Sequence, residues 1–273
     1  MSRYSLRMWN PPITLSFLSL VGIGFIHLPL FSLVFYSFYA PVSGLGTSVG
    51  WTLYWYERLF ENPELFSALW TSVWIASVVG LLSVFLGFWA ALALQKLPRS
   101  FFKKMLESMN TLGLVIPEMV LGIALLIWFS VIRLKLGTSS MVLGHVMVAF
   151  PYATMVIFSQ LSRSIQQYED AAQDLGATPY QVLWKVTLPL MKPSLLSAFL
   201  IAFTLSFDDF IVAFFTSGVS SPTLPLKLYS MVRFGLTPEA NAISTLIFAV
   251  TILFVWFASR SFFPKASSFH KKK

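Results

Sequence analysis

Three carboxylates lie inside long apolar runs. Between positions 108 and 132 the only formal charge is Glu118, and between 193 and 226 the only two are Asp208 and Asp209. An ionisable group at bilayer depth costs on the order of 3 kcal/mol or more, so it marks a functional position. No Lys or Arg shares these runs. The countercharge is therefore a cation in transit, a proton, or a basic residue on another subunit. Phe207 and Phe210 flank the aspartates, while Trp51, Tyr54, Trp55, Tyr56 and Tyr229 fall in connecting segments. Ring faces attract ammonium groups by about 0.5–2 kcal/mol. An aromatic belt at the membrane interface explains the same residues equally well. The chemistry on offer is the holding and release of a cation, with no bond made or broken.

These residues must be positioned by membrane helices. Of the 273 residues 56% are hydrophobic and only 11% charged, and the mean hydropathy is +0.74. Soluble domains are about 25% charged, so the chain lacks the polar surface to cover itself. The composition excludes a free-standing soluble enzyme and removes nucleic acid as the reason for the net charge of +8. With no cysteine there is no disulfide, no thiolate nucleophile and no Cys-ligated metal. His27 and His145 have no helically spaced partner for a metal and read as packing residues. The pattern of charge-free runs predicts an all-α integral membrane protein with six transmembrane helices at about 13–40, 66–95, 107–132, 141–162, 194–217 and 241–262. Together they form one transmembrane domain over 1–273. Strands are excluded by length, because a lone segment in lipid must satisfy its own backbone. In this frame Glu118 lies roughly 16 Å into the third helix. The aspartates lie past the midplane of the fifth, where adjacent residues cannot share one face.

Six crossings put both termini on one side. If that side is the cytoplasm, fourteen of the nineteen basic residues are inside, including Arg3, Arg7, Lys103, Lys104 and the terminal lysines 271–273. Only Arg58, Arg133, Lys135, Lys227 and Arg233 are outside. This is the positive-inside asymmetry, with anionic lipid as the partner of the excess charge. The first apolar run is too long for a signal-peptide core and reads as a retained anchor. Gly80, Gly87, Gly113 and Gly122 read as close-packing positions.

The connection at 163–193 has a design of its own. Positions 164–174 predict a helix with Ala171, Ala172 and Leu175 on an apolar edge, and Gly176 supplies a left-handed stop. Thr178, Pro179 and Gln181 then restart a helix as N-cap, first helical residue and capping-box partner. That second helix is expected to break at Pro189.

At these residues the chain resembles the ATP-binding-cassette importer permeases, whose coupling loop follows E-A-A-x3-G-x9-I-x-L-P. Here it runs Asp170-Ala171-Ala172, Gly176, Val186 and Leu188-Pro189, with Glu169 just before it. Asp replaces the Glu and Val the Ile. The resemblance implies a type I importer permease whose cytoplasmic helix-turn-helix loop is gripped by a separate ATPase. Glu169, Asp170, Ala171, Ala172, Asp174, Gly176, Leu188 and Pro189 are the implied coupling residues. The chain has no G-x-x-x-x-G-K-[ST] run. It is thus expected to be no enzyme and to hold no cofactor, with ATP and Mg on the partner.

A second stretch, about 206–246, resembles the C-type permease subunit of spermidine/putrescine importers. It implies a polyamine path containing Asp208, Asp209, Glu118, Phe207, Phe210, Trp55 and Tyr229. It also implies a second homologous permease, two ATPase subunits, an external solute-binding protein, and a multi-pass location in the bacterial inner membrane. The alternatives are a permease of this build for another solute and a stand-alone proton-coupled carrier.

Overall fold

The computed structural model describes residues 13–41, 49–161, 163–218, 222–234 and 238–262. The basic residues expected at both termini, among them Arg3, Arg7 and Lys271, lie outside that set, as does Ser162 at the end of the expected fourth span. The chain divides into two units, 1–62 with 231–273 and 63–230.

In the first unit α1 (Ile13–Ser37) is followed by two short antiparallel strands, β1 (Tyr39–Pro41) and β2 (Val49–Trp51), with Tyr39 opposite Trp51. Then come α2 (Tyr54–Phe60) and, from the other end of the chain, α12 (Pro238–Phe262). Helix α12 packs on both α1 and α2. The hydroxyl of Ser37 donates to the Val34 carbonyl at 2.6 Å and meets the Tyr56 hydroxyl at 2.9 Å. Apolar side chains are exposed along the whole of α1, as suits a helix in lipid or against another chain.

The second unit is built on three helices packed on one another, α3 (Pro63–Lys96), α6 (Thr138–Gln160) and the long helix ending at Asp208. Their shared core holds Ile75, Val79, Met141, Ala149 and Ala202 at one level and Ala91, Ala153, Ile157, Met191 and Ala198 at another. Small residues set the spacing. A Cβ on Gly87 would stand 3.0 Å from the Thr154 backbone nitrogen, and one on Gly122 would stand 2.6 Å from the Phe215 ring.

Two expected spans are broken. The third is α4 (Phe101–Val115) and α5 (Glu118–Val131), bent by 108°. Pro117 is the cause: it holds Ile116 in an extended conformation and has no N–H to give. Glu118 consequently opens the first turn of α5 instead of lying in mid-helix. The fifth span stops at Asp208, and Asp209 and Phe210 separate it from the short α10 (Ile211–Thr216). Helix α11 (Leu224–Phe234) follows.

The elbow is α7 (Arg163–Asp174), a turn, and α8 (Pro179–Val182). Gly176, at φ +87°, donates to the Gln173 carbonyl at 2.8 Å and Ala177 to that of Ala172 at 3.0 Å, the paired bonds of a Schellman stop. Thr178 and Gln181 form a reciprocal capping box. The break expected at Pro189 does not occur. A π turn over Leu183–Thr187 joins α8 to α9 (Leu188–Asp208) in one helix, Pro179–Asp208. The widened turn places Pro189 in the first turn of α9, where a missing N–H costs little.

Among the described residues four helices are long and apolar enough to cross a membrane: Thr14–Ser37, Pro63–Lys96, Thr138–Gln160 and Pro179–Asp208. The bent pair makes five if counted as one span, and Glu239–Leu253 is a shorter apolar helix where the sixth was expected.

Candidate functional site

The break between α9 and α10 places the two aspartates differently. Asp208, the last residue of α9, is exposed, whereas Asp209 is 8% exposed. Its Oδ1 accepts the Val212 N–H at 2.9 Å, so it caps the otherwise open end of α10. Glu118, from the start of α5, is near enough for its charge to interact with both aspartates. The bend at Pro117 and the packing of α5 on α10 thus gather carboxylates separated by about 90 residues in the chain.

The aromatic residues join them. Phe203 and Phe207 stack at 5.9 Å with their rings 10° apart, and Phe199 continues the column at 6.0 Å from Phe203. Phe210 lies 4.7 Å from the Tyr229 ring of α11 and 5.7 Å from Phe214. Phe207 thus ends one aromatic column, and Phe210 and Tyr229 belong to a second cluster. The i, i+4 spacing of Phe199, Phe203 and Phe207 was the available signal. Trp55 belongs to the other unit, where its indole N–H donates to the Tyr39 carbonyl at 3.0 Å.

His145 was missed as a site residue. It is 1% exposed, its Nδ1 lies 2.8 Å from the Ser206 hydroxyl, and its Nε2 lies 3.7 Å from Asp209 Oδ2. The expectation of a satisfied packing histidine fits Nδ1 only. No local pattern could have revealed the pair, because His145 lies on α6 and Asp209 in the break after α9. His27 is satisfied within its own helix by the Ile23 carbonyl at 2.7 Å.

The expected coupling residues divide into two groups. Asp170, Ala171, Asp174, Gly176 and Pro189 are exposed, and Ala172 is half-buried. Glu169 is buried: it accepts the Thr187 hydroxyl and pairs with Lys96 at 3.1 Å. It braces α7 against the π turn and the end of α3. Leu188, like Ile165 and Leu183, packs against the core level that holds Ala153, Ile157 and Met191. The outer surface instead carries apolar residues that the motif does not include. Leu175 is 90% exposed and Tyr180 71%; Tyr168 is exposed as well, and so is Trp184, whose ring lies 6.0 Å from that of Tyr180. A depression of about 370 Å³ is lined by Ala172, Leu175, Gly176, Gln181, Lys185 and Val186. Small and apolar residues around a shallow hollow, on an elbow that also exposes Asp170 and Asp174, suit a protein partner.

Residues 83–265 match the family described as binding-protein-dependent transport system inner membrane component. The spermidine/putrescine transport system permease protein PotC of Haemophilus influenzae is 37% identical over 231 residues, covering 85% of this chain and 89% of that protein. The putrescine transport system permease protein PotI of Escherichia coli is 37% identical over 235 residues, covering 84% and 83%. Among solved structures, a bacterial ABC transporter involved in the import of the acidic polysaccharide alginate superposes with a TM-score of 0.63 at 17% identity, over 97% of this chain and all of that one. An amino acid ABC transporter crystallised with histidines gives a TM-score of 0.57 at 16% identity, over 75% of this chain and 95% of that one. At these identities the structures establish the fold, and the sequence match establishes the lineage. The chain is a transport subunit and not an enzyme, and it belongs to the family of binding-protein-dependent transport system inner membrane components.

Proposed function

We propose that the chain is one permease subunit of an ATP-driven polyamine importer. It would work with a second homologous permease, two copies of a cytoplasmic ATPase and an external solute-binding protein. The relatives named for spermidine and putrescine support this substrate class. The observation that carries it is the α9–α10 break, where exposed Asp208 adjoins Asp209, Glu118 interacts with both, Phe207 and Phe210 flank the pair in the chain, and Phe210 packs on Tyr229. A linear polycation has ammonium groups spaced along an apolar stem. Separated carboxylates with aromatic walls between them match that shape, charge to charge and methylene to ring. Trp55 is proposed as a separate aromatic contact for the cation along its route.

In this reading the six spans place both termini and the elbow in the cytoplasm. Closure of the ATPases on ATP pulls the elbow and turns the helices, so that the polyamine released by the binding protein meets Asp208 and then passes inward. The site must release its cation each cycle, so it binds weakly.

The test is uptake of radiolabelled spermidine by the complete transporter in proteoliposomes, with Asp208→Asn against wild type at equal complex. Loss of a charge-assisted contact at the path predicts a fall on the order of tenfold or more. Full uptake in the variant would remove Asp208 from the path. Wild-type uptake of neither spermidine nor putrescine would favour another solute.

A further inference from the structure

We infer that His145 is a positioning residue that holds Asp209 inside the protein and leaves Asp208 as the exposed anion of the pair. This rests on the polyamine reading above for its consequence in transport, though not for its geometry. Helix α6 brings the imidazole to the α9–α10 break, where it is completely enclosed. Ser206 stands one turn before Asp209. Its hydroxyl lies 2.8 Å from Nδ1, and in the tautomer where that hydroxyl donates, the single proton of a neutral imidazole sits on Nε2. That nitrogen faces Asp209 Oδ2 at 3.7 Å and has no hydrogen-bond partner among the described residues. The two oxygens of Asp209 are divided between two elements: Oδ1 caps α10, and Oδ2 is turned to α6.

Among the described residues the other charged groups that act on Asp209 are Asp208 and Glu118, both acidic. They repel a buried carboxylate. Its donors are the N–H groups at the start of α10 and, once less than about 1 Å of movement closes the gap to a charge-assisted bond, the imidazole. Taking one partner from a buried pair leaves the other uncompensated, which costs more than removing both. Without His145, Asp209 has reason to swing outward and join Asp208. Two exposed carboxylates would favour a trication over a dication.

The experiment uses the complete transporter with His145→Leu, His145→Gln and the double variant His145→Leu/Asp209→Asn. Thermal stability of the purified complex and the ratio of spermidine to putrescine uptake are both measured. His145→Leu is expected to lower the melting temperature and to raise the spermidine-to-putrescine ratio several-fold. His145→Gln, which can present an N–H at the position of Nε2, keeps both near wild type. The double variant moves both back toward wild type, because the stranded charge is gone while the Asn oxygen still caps α10. The inference is overturned if the ratio stays fixed in His145→Leu while transport falls only with the amount of complex. It is also overturned if the double variant is no better than His145→Leu. If the wild type carries neither polyamine, the substrate reading fails by itself. The melting data then decide the pairing alone: recovery in the double variant supports it, and no recovery ends it.

Discussion

At the scale of single residues, the structure assigns different work to neighbours that look interchangeable. Asp208 and Asp209 are adjacent and identical, yet one is exposed and the other caps a helix beneath it. Glu169 and Asp170 are likewise adjacent acids on α7, and only Asp170 reaches the surface. Glu169 accepts a hydroxyl from fully buried Thr187, so Thr187→Val should leave that carboxylate short of a donor. A cost of about 1–3 kcal/mol follows. It would be measured as a lower melting temperature of the purified complex and faster proteolysis within the elbow. Asp170→Asn, exposed, should leave stability unchanged and affect only the interaction with the ATPase. Sequence pattern placed all four acids in functional segments. It could not say which faced inward, because orientation on a short helix depends on what the tertiary fold lays against it.

At the scale of elements, local chemistry explains both the elbow and its rigidity. Gly176 has φ +87°, and a Cβ there would meet open space. Gly176→Val is therefore strained by backbone conformation and not by crowding, at about 1–2 kcal/mol or more for a β-branched residue. The expected result is a displaced turn. Spermidine uptake falls and ATPase activity loses its dependence on the loaded binding protein, while the melting temperature of the helices changes little. Normal uptake in this variant would show that the turn does not carry the coupling. The stop at Gly176 and the restart at Thr178 were legible in the sequence, because both rest on contacts within a few residues. Pro189 was misleading for the opposite reason. Whether a proline breaks a helix depends on the turn before it, and here a π turn absorbs the missing donor. Pro117 bends its span by 108°, where the run of apolar residues alone suggested a continuous helix.

At the scale of the whole molecule, the excess of basic residues on one set of connections predicts sidedness. The natural chain has no cysteine, which makes the test clean. A single cysteine at Asp174 should react with a membrane-impermeant maleimide only when the cytoplasmic face is open, and one at Lys135 only from outside. Reversed accessibility would invert the proposed topology. What the sequence determined by itself was the solvent of the chain, its helical class, the elbow and the family, all read from composition or from contacts within about 20 residues. What the tertiary structure decided was the exposure of Asp208, the burial of Asp209 and Glu169, and the approach of His145 and Glu118 to the same break. Each of those depends on helices far apart in sequence. In a membrane every helix is apolar on most faces, so periodicity does not mark the inner side. Only the packing of one helix on another decides which polar group is enclosed and which is left to meet a substrate.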